Sequence, residues 1–458
     1  MATATRARNG RTPGRRAGGA RNDRGRGGSR GRGPRSGADG GIPRPGPGAP
    51  PATTTLRPLS RTSRLGPLQL RQLALVEIAL VIAAVGAVAG KLWLVPAAVV
   101  AAVLVVLAFL RRRGQSAQDW TTTAMALRSR RRASAPAPAD TDLSLAPVVE
   151  GVPGLRPSPY IDKSRRTVGM LGDGSFLTAV VRIEASGAAL RPAFGARALP
   201  LSLLGGALEV DDIVVDSVQL VQQVRSAPAP HLPERSVARL SYTPLQEKTG
   251  APALRMTWVA VKLDPELCRE AVEARGGGVT GAQRCLVRVA DHIASRATGA
   301  GFSAVVLDQQ ELNSTLATAA CASPRLAARA SRPDAVPQRR TSETARVWRC
   351  DDRWHTTYAV GRWPELGRGA APLPKLVALL TAAPAYATTF SLTLRRGTHR
   401  GALSMAGHVR VTGGSDTELI GVRRTLEQHA RTGKVSLVRL DREQLPGALA
   451  TLPLGGAR

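Results

Sequence analysis

Aromatic residues are scarce in this chain, at 3% of 458 residues. So small a supply excludes the stacked aromatic platforms on which typical single-strand nucleic-acid binders hold their bases. Cysteine is scarce as well: four cysteines form no C-x-x-C pair, and none lies at zinc-ligand spacing with a histidine. In so long a chain we expect reduced, buried thiols, with a disulfide as the alternative. The cysteines are Cys268, Cys285, Cys321 and Cys350.

Sequence signatures of catalysis are also lacking. No G-x-S-x-G elbow follows a predicted strand, and the chain has no H-E-x-x-H and no G-x-x-x-x-G-K-[ST] phosphate loop. The glycine-rich stretch Arg275–Arg284 could cradle phosphate, but it follows a predicted helix, which favours an exposed helix–helix connection. Asp351 and Asp352 could chelate a divalent cation, although Asp at a hairpin tip is commonly a turn residue. We therefore predict no catalytic, cofactor-binding or metal-ligating residues, and no cofactor.

Positive charge is abundant and unevenly spread. Residues 1–135 carry 23 arginines and Lys91 against four acidic residues, and so supply +20 of the formal net charge of +31. Residues 1–69 are rich in Arg, Gly and Pro, and they cannot bury enough apolar surface to offset chain entropy, so they predict a disordered tail. Such a tail binds nucleic acid as RGG segments do or lies against anionic lipid. The apolar residues that follow favour lipid, and no specific nucleic acid is expected.

Two apolar stretches follow this tail, from about Gln72 to Gly90 and from about Leu92 to Leu110. Each is close to the ~20 residues that span a bilayer, and each is apolar on all sides, unlike an amphipathic core hairpin. Residues 70–113 are therefore predicted to form a two-helix transmembrane hairpin. Arginines flank both outer ends while the loop carries one lysine, so the positive-inside rule places both termini in the cytoplasm.

Strand and helix patterns alternate from about Val148 to the C-terminus and predict an α/β (α+β) cytoplasmic domain. Its first half is residues 148–322 and its second half is residues 344–458. Two polar segments are predicted to be linkers. Residues 114–147 join the hairpin to the domain in a semi-extended form, and residues 323–343 form an exposed linker or long loop between the halves.

An internal repeat connects the two halves. The segments "LDQQELNSTLAT" (Leu307–Thr318) and "LDREQLPGALAT" (Leu440–Thr451) share six of 12 positions at an offset of 133 residues. The same offset places residues 257–318 on residues 390–451, with strands on strands and apolar helix positions on each other. The repeat predicts a pseudo-duplicated domain.

Capping chemistry explains the shared residues of the two segments. Asp308 with Glu311, and Asp441 with Gln444, have the spacing of a capping box. In that box the Asp oxygen accepts an early helix N–H, and the residue three positions on reaches back. We therefore interpret both segments as strand-to-helix joins and not as an active site.

One long pattern resembles a known family. It comprises "VQLVQQVRSAPAPHLP" (Val218–Pro233) and residues 241–312, which include "RMTWVAVKLDPELCREAVEARGGGVTGAQRC". With the apolar hairpin after an Arg-rich start, it resembles EccE, the membrane component of type VII (ESX-like) secretion systems. The resemblance is strong over residues 167–318 and extends to the hairpin and C-terminal part in layout.

The resemblance implies a non-enzymatic, structural translocon subunit in the cytoplasmic membrane that supports protein export. It implies assembly with the EccB, EccC and EccD components, of which EccC is the motor ATPase. That division of labour fits the lack of a phosphate loop in this chain.

The residues alone leave two other functions open. One is a membrane-anchored α/β enzyme of glycosyltransferase-like type, with Asp351 and Asp352 as its metal site. The other is a membrane-tethered nucleic-acid binder that uses residues 1–69 and binds with a steep salt dependence. The translocon subunit is the leading hypothesis.

Overall fold

The structure is a computed structural model, and it describes residues 56–58, 70–88, 90, 95–102, 111–112, 115–185, 198–226, 233, 235–237, 239–241, 243–244, 254–366, 372–397 and 402–456. The predicted disordered tail, residues 1–69, lies outside these ranges except for Leu56–Pro58. Those three residues form a short strand parallel to Leu403–Met405.

Strands and helices alternate along the chain, as the patterns predict. Strands lie at β1 Leu56–Pro58, β2 Arg111–Arg112, β3 Gln115–Ser116, β4 Arg156–Pro157, β5 Tyr160–Ile161, β6 Thr167–Val168, β7 Met170–Gly172, β8 Leu177–Ala185, β9 Glu209–Val210, β10 Ile213–Val214, β11 Ser217–Arg225, β12 Leu254–Leu263, β13 Phe302–Val306, β14 Thr341–Glu343, β15 Trp348–Cys350, β16 Arg353–Arg362, β17 Ala387–Arg396, β18 Leu403–Gly413 and β19 Ser436–Arg439. Helices lie at α1 Leu70–Val88, α2 residues 95–102, α3 Ala117–Arg132, α4 Ala146–Gly151, α5 Leu201–Gly206, α6 Arg269–Ala274, α7 Gly278–Gly299, α8 Gln309–Ala320, α9 Pro324–Ala330, α10 Leu373–Thr381, α11 Asp416–Thr432 and α12 Gln444–Leu449. The predicted α/β class is confirmed.

One large sheet organises the domain. Its strands run in the order β14-β15-β16-β18-β17-β11-β12-β8-β7-β4, with β13 beside β8 and β19 beside β16. Among the described strands of this sheet, every neighbouring pair is antiparallel apart from β1 with β18. At its centre β11 pairs with β17, so that Val218 lies opposite Leu394.

The sheet contains the same arrangement twice. The elements β8-α5-β11-β12-α7-β13 place their strands in the order β13-β8-β12-β11, and β16-α10-β17-β18-α11-β19 place theirs in the order β19-β16-β18-β17. Each is a ferredoxin-like βαββαβ arrangement. We call them the first unit and the second unit. The two units meet through equivalent edge strands, β11 and β17.

The offset of 133 residues fits the later elements of the units and misplaces one strand. It puts α7, β13 and α8 on α11, β19 and α12, in agreement with the sheet order. It also puts β12 on β17, but β12 lies inside its unit, and the strand in that position of the second unit is β18. The cause is an insertion: a 3₁₀ turn, Pro265–Cys268, and α6 separate β12 from α7, whereas β18 leads almost directly into α11.

Helices cover both faces of the sheet. Side chains of successive strand residues point to opposite faces, so Val259 and Val261 pack against α5, α7, α10 and α11, while Trp258 and Ala260 pack against α4, α8 and α12. The domain therefore has three layers with the sheet in the middle.

Both predicted linkers contain regular structure, which corrects the prediction of a semi-extended chain for residues 114–147, while most of residues 323–343 is exposed as predicted. Residues 114–147 include α3, a helix of 16 residues. Residues 323–343 include α9 and end in β14, where Thr341 and Glu343 are buried. In both segments some polar side chains also form ion pairs and hydrogen bonds with the domain.

Within the described ranges, no helix is long and apolar enough to cross a membrane. Of the predicted hairpin, residues 70–113, the first span corresponds to α1. The second span is described only at residues 95–102. The described residues do not establish the hairpin.

The two repeat segments begin their helices differently. Asp308 caps α8, since its Oδ1 accepts a hydrogen bond from Glu311 N at 2.8 Å and Glu311 Oε2 accepts one from Asp308 N at 3.3 Å. Asp441 makes no such cap: its carboxylate pairs with Arg439 at 2.5 and 2.9 Å, and α12 begins only at Gln444. The predicted capping box at Asp308 is confirmed, and the one at Asp441 is wrong.

The side chain of Gln444 explains the difference. It is fully buried, its Oε1 accepts a hydrogen bond from Thr357 N at 2.8 Å, and its Nε2 donates one to the Leu440 carbonyl at 2.8 Å. Because these bonds tie Gln444 to β16 and to its own turn, it cannot reach back to the backbone of Asp441.

We expect Asp308→Ala to lower the free energy of unfolding by about 1 kcal/mol, because an orphan amide of α8 loses its acceptor. Amide hydrogen exchange should speed up in the first turn of α8. Asp441→Ala is the matched control: it removes a partly exposed ion pair and should leave exchange in the first turn of α12 unchanged. Equal acceleration in both helices would contradict the assignment.

Candidate functional site

A buried ionic junction attaches α3 to the domain. At its centre is Glu343 on β14, whose side chain is 3% exposed. Arg130, in the last turn of α3, donates to the two carboxylate oxygens of Glu343 from Nε at 2.9 Å and from Nη2 at 3.1 Å. Arg131 donates from Nε to the Glu343 carbonyl at 2.9 Å. A paired guanidinium of this kind makes a buried carboxylate tolerable.

The junction also reaches α12. Glu343 Oε1 accepts a hydrogen bond from Leu445 N, in the first turn of that helix, at 3.0 Å. Arg130 Nη2 donates to the Arg442 carbonyl at 2.6 Å. A carboxylate near a helix N-terminus and arginines near a helix C-terminus both complement the helix dipoles. One side chain, Glu343, thus ties three elements together.

A second buried carboxylate, Glu150 on α4, holds the start of β14. Its oxygens accept hydrogen bonds from Thr341 N at 2.8 Å, from Thr341 Oγ1 at 2.7 Å and from Arg340 N at 2.9 Å. The Glu150 side chain is 1% exposed. The short helix that opens the domain is therefore joined to the segment between the two units.

A third buried carboxylate, Asp351, lies at the tip of the β15–β16 hairpin. It accepts a bidentate pair from Arg340, with Nε at 2.8 Å and Nη2 at 2.6 Å, and a hydrogen bond from Ser323 N at 2.7 Å. Burial opposes the Arg340 charge, but hydrogen bonds to Asp351 and its charge outweigh burial and raise the pKa of Arg340. The adjacent Asp352 pairs with Arg353 at 3.6 Å.

The structure shows the surroundings of the two candidate motifs of the sequence, the Asp351–Asp352 pair and the glycine-rich stretch. Asp351 is engaged by Arg340, and in the part of the chain that the structure describes no group of three or more His, Cys, Asp or Glu side chains could hold a metal ion. In the glycine-rich stretch Arg275–Arg284, residues 275–277 connect α6 to α7, and the remaining residues form the first turns of α7. All four cysteines are buried free thiols in the structure.

A buried polar seam lies under the C-terminal end of α8. Arg410 on β18 is fully buried, and its Nη2 donates to the Ala319 carbonyl and to Thr389 Oγ1. Gln223 on β11 donates to the same Ala319 carbonyl at 3.3 Å. The negative end of the α8 dipole thus receives a cation from the second unit and an amide from the first. Nε and Nη1 of Arg410 have no hydrogen-bond partner among the described residues.

His355 on β16 lies in the same seam. Its Nδ1 is 2.9 Å from Thr412 Oγ1, and its ring lies 4.8 Å from that of Trp348. Burial, together with the charges of Arg410 and Arg353, holds the pKa of His355 well below its ordinary value of 6.5. The folded protein therefore keeps this imidazole neutral.

An apolar cavity of about 860 Å³ lies where the two units meet on the opposite face. Leu220 and Phe302 come from the first unit, and Leu373 and Phe390 come from the second. The cavity is therefore a product of the pairing of β11 with β17.

Comparison with known families gives a match to the segment that contains Glu343, the centre of the ionic junction. Residues 251–360 match the EccE family, described as a type VII ESX secretion system translocon. This confirms the EccE resemblance over about a quarter of the chain. The EccE segment runs from β12 into β16 and includes Glu343, Arg340 and Asp351. It does not include Arg130 or Arg410.

Other comparisons add no argument about function. No curated protein matches the chain. A solved structure of an alkyldihydroxyacetonephosphate synthase aligns with a TM-score of 0.23 and 8% sequence identity, over 59% of this chain and 42% of that chain. The chain thus spans less than half of that structure, and a TM-score so low supports no conclusion about fold.

Sequence reasoning missed the junction because it placed both partners in linkers. Arg130 belongs to a run of 16 residues without glycine or proline, which is a helix signal. Glu343 follows Thr341 at the spacing of two that puts strand side chains on one face. These signals could have located α3 and β14, but nothing in the sequence pairs one with the other.

We expect Glu343→Gln to lower the free energy of unfolding by about 2–3 kcal/mol, because Arg130 then faces no charge in a buried site. Limited trypsin digestion should cut faster at the arginines that end α3. The control is Glu184→Gln, which removes an exposed ion pair with Arg182 at 3.1 Å and should change neither measurement. An unchanged digestion pattern for Glu343→Gln would show that this ion pair does not hold α3.

His355 makes stability depend on pH. The unfolded chain takes up a proton at His355 as the pH falls below 6.5, and the folded chain does not. The free energy of unfolding should therefore fall below that pH, by up to about 1.4 kcal/mol per pH unit from this group. Urea titrations at about pH 7.5 and about pH 5.5 measure how much the free energy of unfolding falls between these two pH values. The fall should be smaller in His355→Gln than in the wild type. His292→Gln, on the half-exposed side of α7, controls for removal of an imidazole, and an equal reduction there would contradict the assignment.

Proposed function

We propose that this chain is a non-enzymatic membrane subunit of a type VII secretion translocon, which supports protein export across the cytoplasmic membrane. The observation that carries the proposal is the match of residues 251–360 to the EccE family. The matched segment contains the carboxylates Glu343 and Asp351, which bind arginines and hold secondary structure together. Such a use of carboxylates supports a structural role.

We infer that residues 70–113 form a two-pass membrane anchor with both termini in the cytoplasm. On α1, large apolar side chains are between 50% and 89% exposed: Ile78, Leu80, Val81, Val85 and Val88. On α2, Val95 and Val99 are exposed as well. Helices with this surface favour a hydrocarbon environment over water, and the flanking arginines support the orientation.

The anchor gives the ionic junction a function. Helix α3 begins a few residues after the proposed second span, and Arg130 and Arg131 fix its other end to β14. A helix held at its end by a buried ion pair transmits position better than a flexible linker does. We propose that the junction sets the orientation of the α/β domain, with halves 148–322 and 344–458, relative to the membrane.

The proposed role implies specific protein and lipid partners. As a subunit of the translocon, the chain assembles with EccB, EccC and EccD, and its Arg-rich tail, residues 1–69, approaches the anionic lipid surface. The motor activity belongs to EccC. The α/β domain then contributes contact surface and geometry to the complex.

The test is a pull-down of the tagged full-length chain from membranes in mild detergent. We expect EccB, EccC and EccD to co-purify with it and export to fail when the gene is deleted. Asp351→Asn with Asp352→Asn separates this role from that of a metal-dependent enzyme, because export should persist wherever the protein remains folded. Recovery of the chain without any of the three partners would overturn the proposal.

A further inference from the structure

A cavity of about 800 Å³ lies between the chain that follows α3 and the segment that joins the two units. One wall is formed by residues 136–139 and Thr141. The others are formed by the end of α9, by residues 335–342 and by Arg349. All of these residues lie within the described ranges.

Arginines dominate the charge of this cavity. Arg329, Arg339, Arg340 and Arg349 line it, against two acidic residues, Glu150 and Asp351. We call it the arginine cavity. It is basic, with a mixed polar and apolar lining, and it is more polar than the apolar cavity between the units.

Both carboxylates in its wall are already saturated. The Glu150 side chain is 1% exposed and accepts hydrogen bonds from Thr341 N, Thr341 Oγ1 and Arg340 N. The Asp351 side chain is 0% exposed and accepts the bidentate pair from Arg340 and the bond from Ser323 N. Arg340 is therefore neutralised, and little acceptor capacity remains for the other arginines.

No carboxylate pairs closely with the other three guanidinium groups. Among the described residues, none lies within ion-pair distance of Arg329 or Arg349. Arg349 donates its Nε to the Asp351 carbonyl at 2.8 Å, and its guanidinium lies 5.6 Å from the centre of the Trp354 ring. Arg339 approaches Glu150 at no closer than 3.9 Å, and its Nε has no hydrogen-bond partner there. These three side chains line one concave space, so their fields add within it.

We propose that the arginine cavity binds a phosphate-bearing ligand of nucleotide or lipid-headgroup size. Guanidinium forks match phosphate oxygens and form charge-assisted, bidentate hydrogen bonds with them. Three positive charges suit a phosphate group with two or more negative charges. The volume of about 800 Å³ lies within the range of small-molecule sites and exceeds that of a bare phosphate ion.

The position of the cavity gives binding a mechanical consequence. Residues 136–141 follow directly on α3, and residues 335–342 lead into β14, which carries Glu343. A phosphate held by Arg329, Arg339 and Arg349 therefore joins α9, the chain before β14 and β15 to one another, beside the chain that follows α3. Occupancy should make the start of β14 more stable.

The test uses the full-length chain in nanodiscs of phosphatidylcholine and titrates inorganic pyrophosphate by calorimetry. We expect saturable binding with one site per chain. The triple variant R329A/R339A/R349A should weaken it by about tenfold or more, the scale of one charge-assisted hydrogen bond. The matched control is R325A/R332A/R346A, which removes the same charge from exposed arginines that do not line the cavity, and it should change affinity by less than about threefold.

A second arm distinguishes the source of the phosphate. If the headgroup of a lipid occupies the cavity, nanodiscs that contain phosphatidylglycerol should abolish pyrophosphate binding to the wild type. If a soluble phosphate ester occupies it, binding should persist in those nanodiscs. Either result supports the site, provided that R329A/R339A/R349A shows weakened pyrophosphate binding in phosphatidylcholine nanodiscs.

Two outcomes would overturn the proposal. One is the absence of saturable pyrophosphate binding in phosphatidylcholine. The other is equal weakening by the two triple variants, which would mean that pyrophosphate responds only to the general positive field. If R329A/R339A/R349A does not fold, R329A alone, at an exposed position at the end of α9, provides the comparison with R325A.

Discussion

The pairing of β11 with β17 is the interaction on which the rest of this structure depends. Seven residue pairs from Val218–Leu394 to Val224–Thr388 join two four-stranded units into one sheet. Without it, each unit would present an unpaired edge strand to solvent. With it, α8 of the first unit and α12 of the second lie on one continuous face, where polar side chains of both units reach helix carbonyls. Arg410 and Gln223, from different units, share the Ala319 carbonyl.

Buried charge in this domain is concentrated where separate segments of chain must be held together. Glu343, Glu150 and Asp351 are almost completely buried. Glu343 and Glu150 bind donors from distant parts of the sequence, and Asp351 binds Arg340 and Ser323 of the segment between the units. A buried carboxylate is costly unless it is paired and hydrogen-bonded, so each of these sites tolerates only one arrangement of its neighbours. The three carboxylates therefore specify how α3, α4 and the segment between the units pack.

Sequence patterns predicted the features that depend on local chemistry. Helical and strand periodicity gave the α/β class, and the spacing of Asp308 and Glu311 gave a capping box that is present. Features set by distant contacts were not predictable. Asp441 has the same spacing, but Arg439 takes its carboxylate and β16 takes the side chain of Gln444. An insertion after β12 hid its equivalence to β18, and only the folded chain brings Arg130 to Glu343.

The EccE match covers the later elements of the first unit, the connection between the units and the start of the second unit. Residues 251–360 begin near β12, cross the segment 323–343 and end within β16. This segment supplies Arg340, Thr341 and Glu343, and through them it contacts α3, α4 and the β15–β16 hairpin. These carboxylates are closed off from solvent by arginines and backbone amides. The chemistry of the matched segment is that of a joint between α3 and the two-unit sheet, which fits the structural role proposed for this chain.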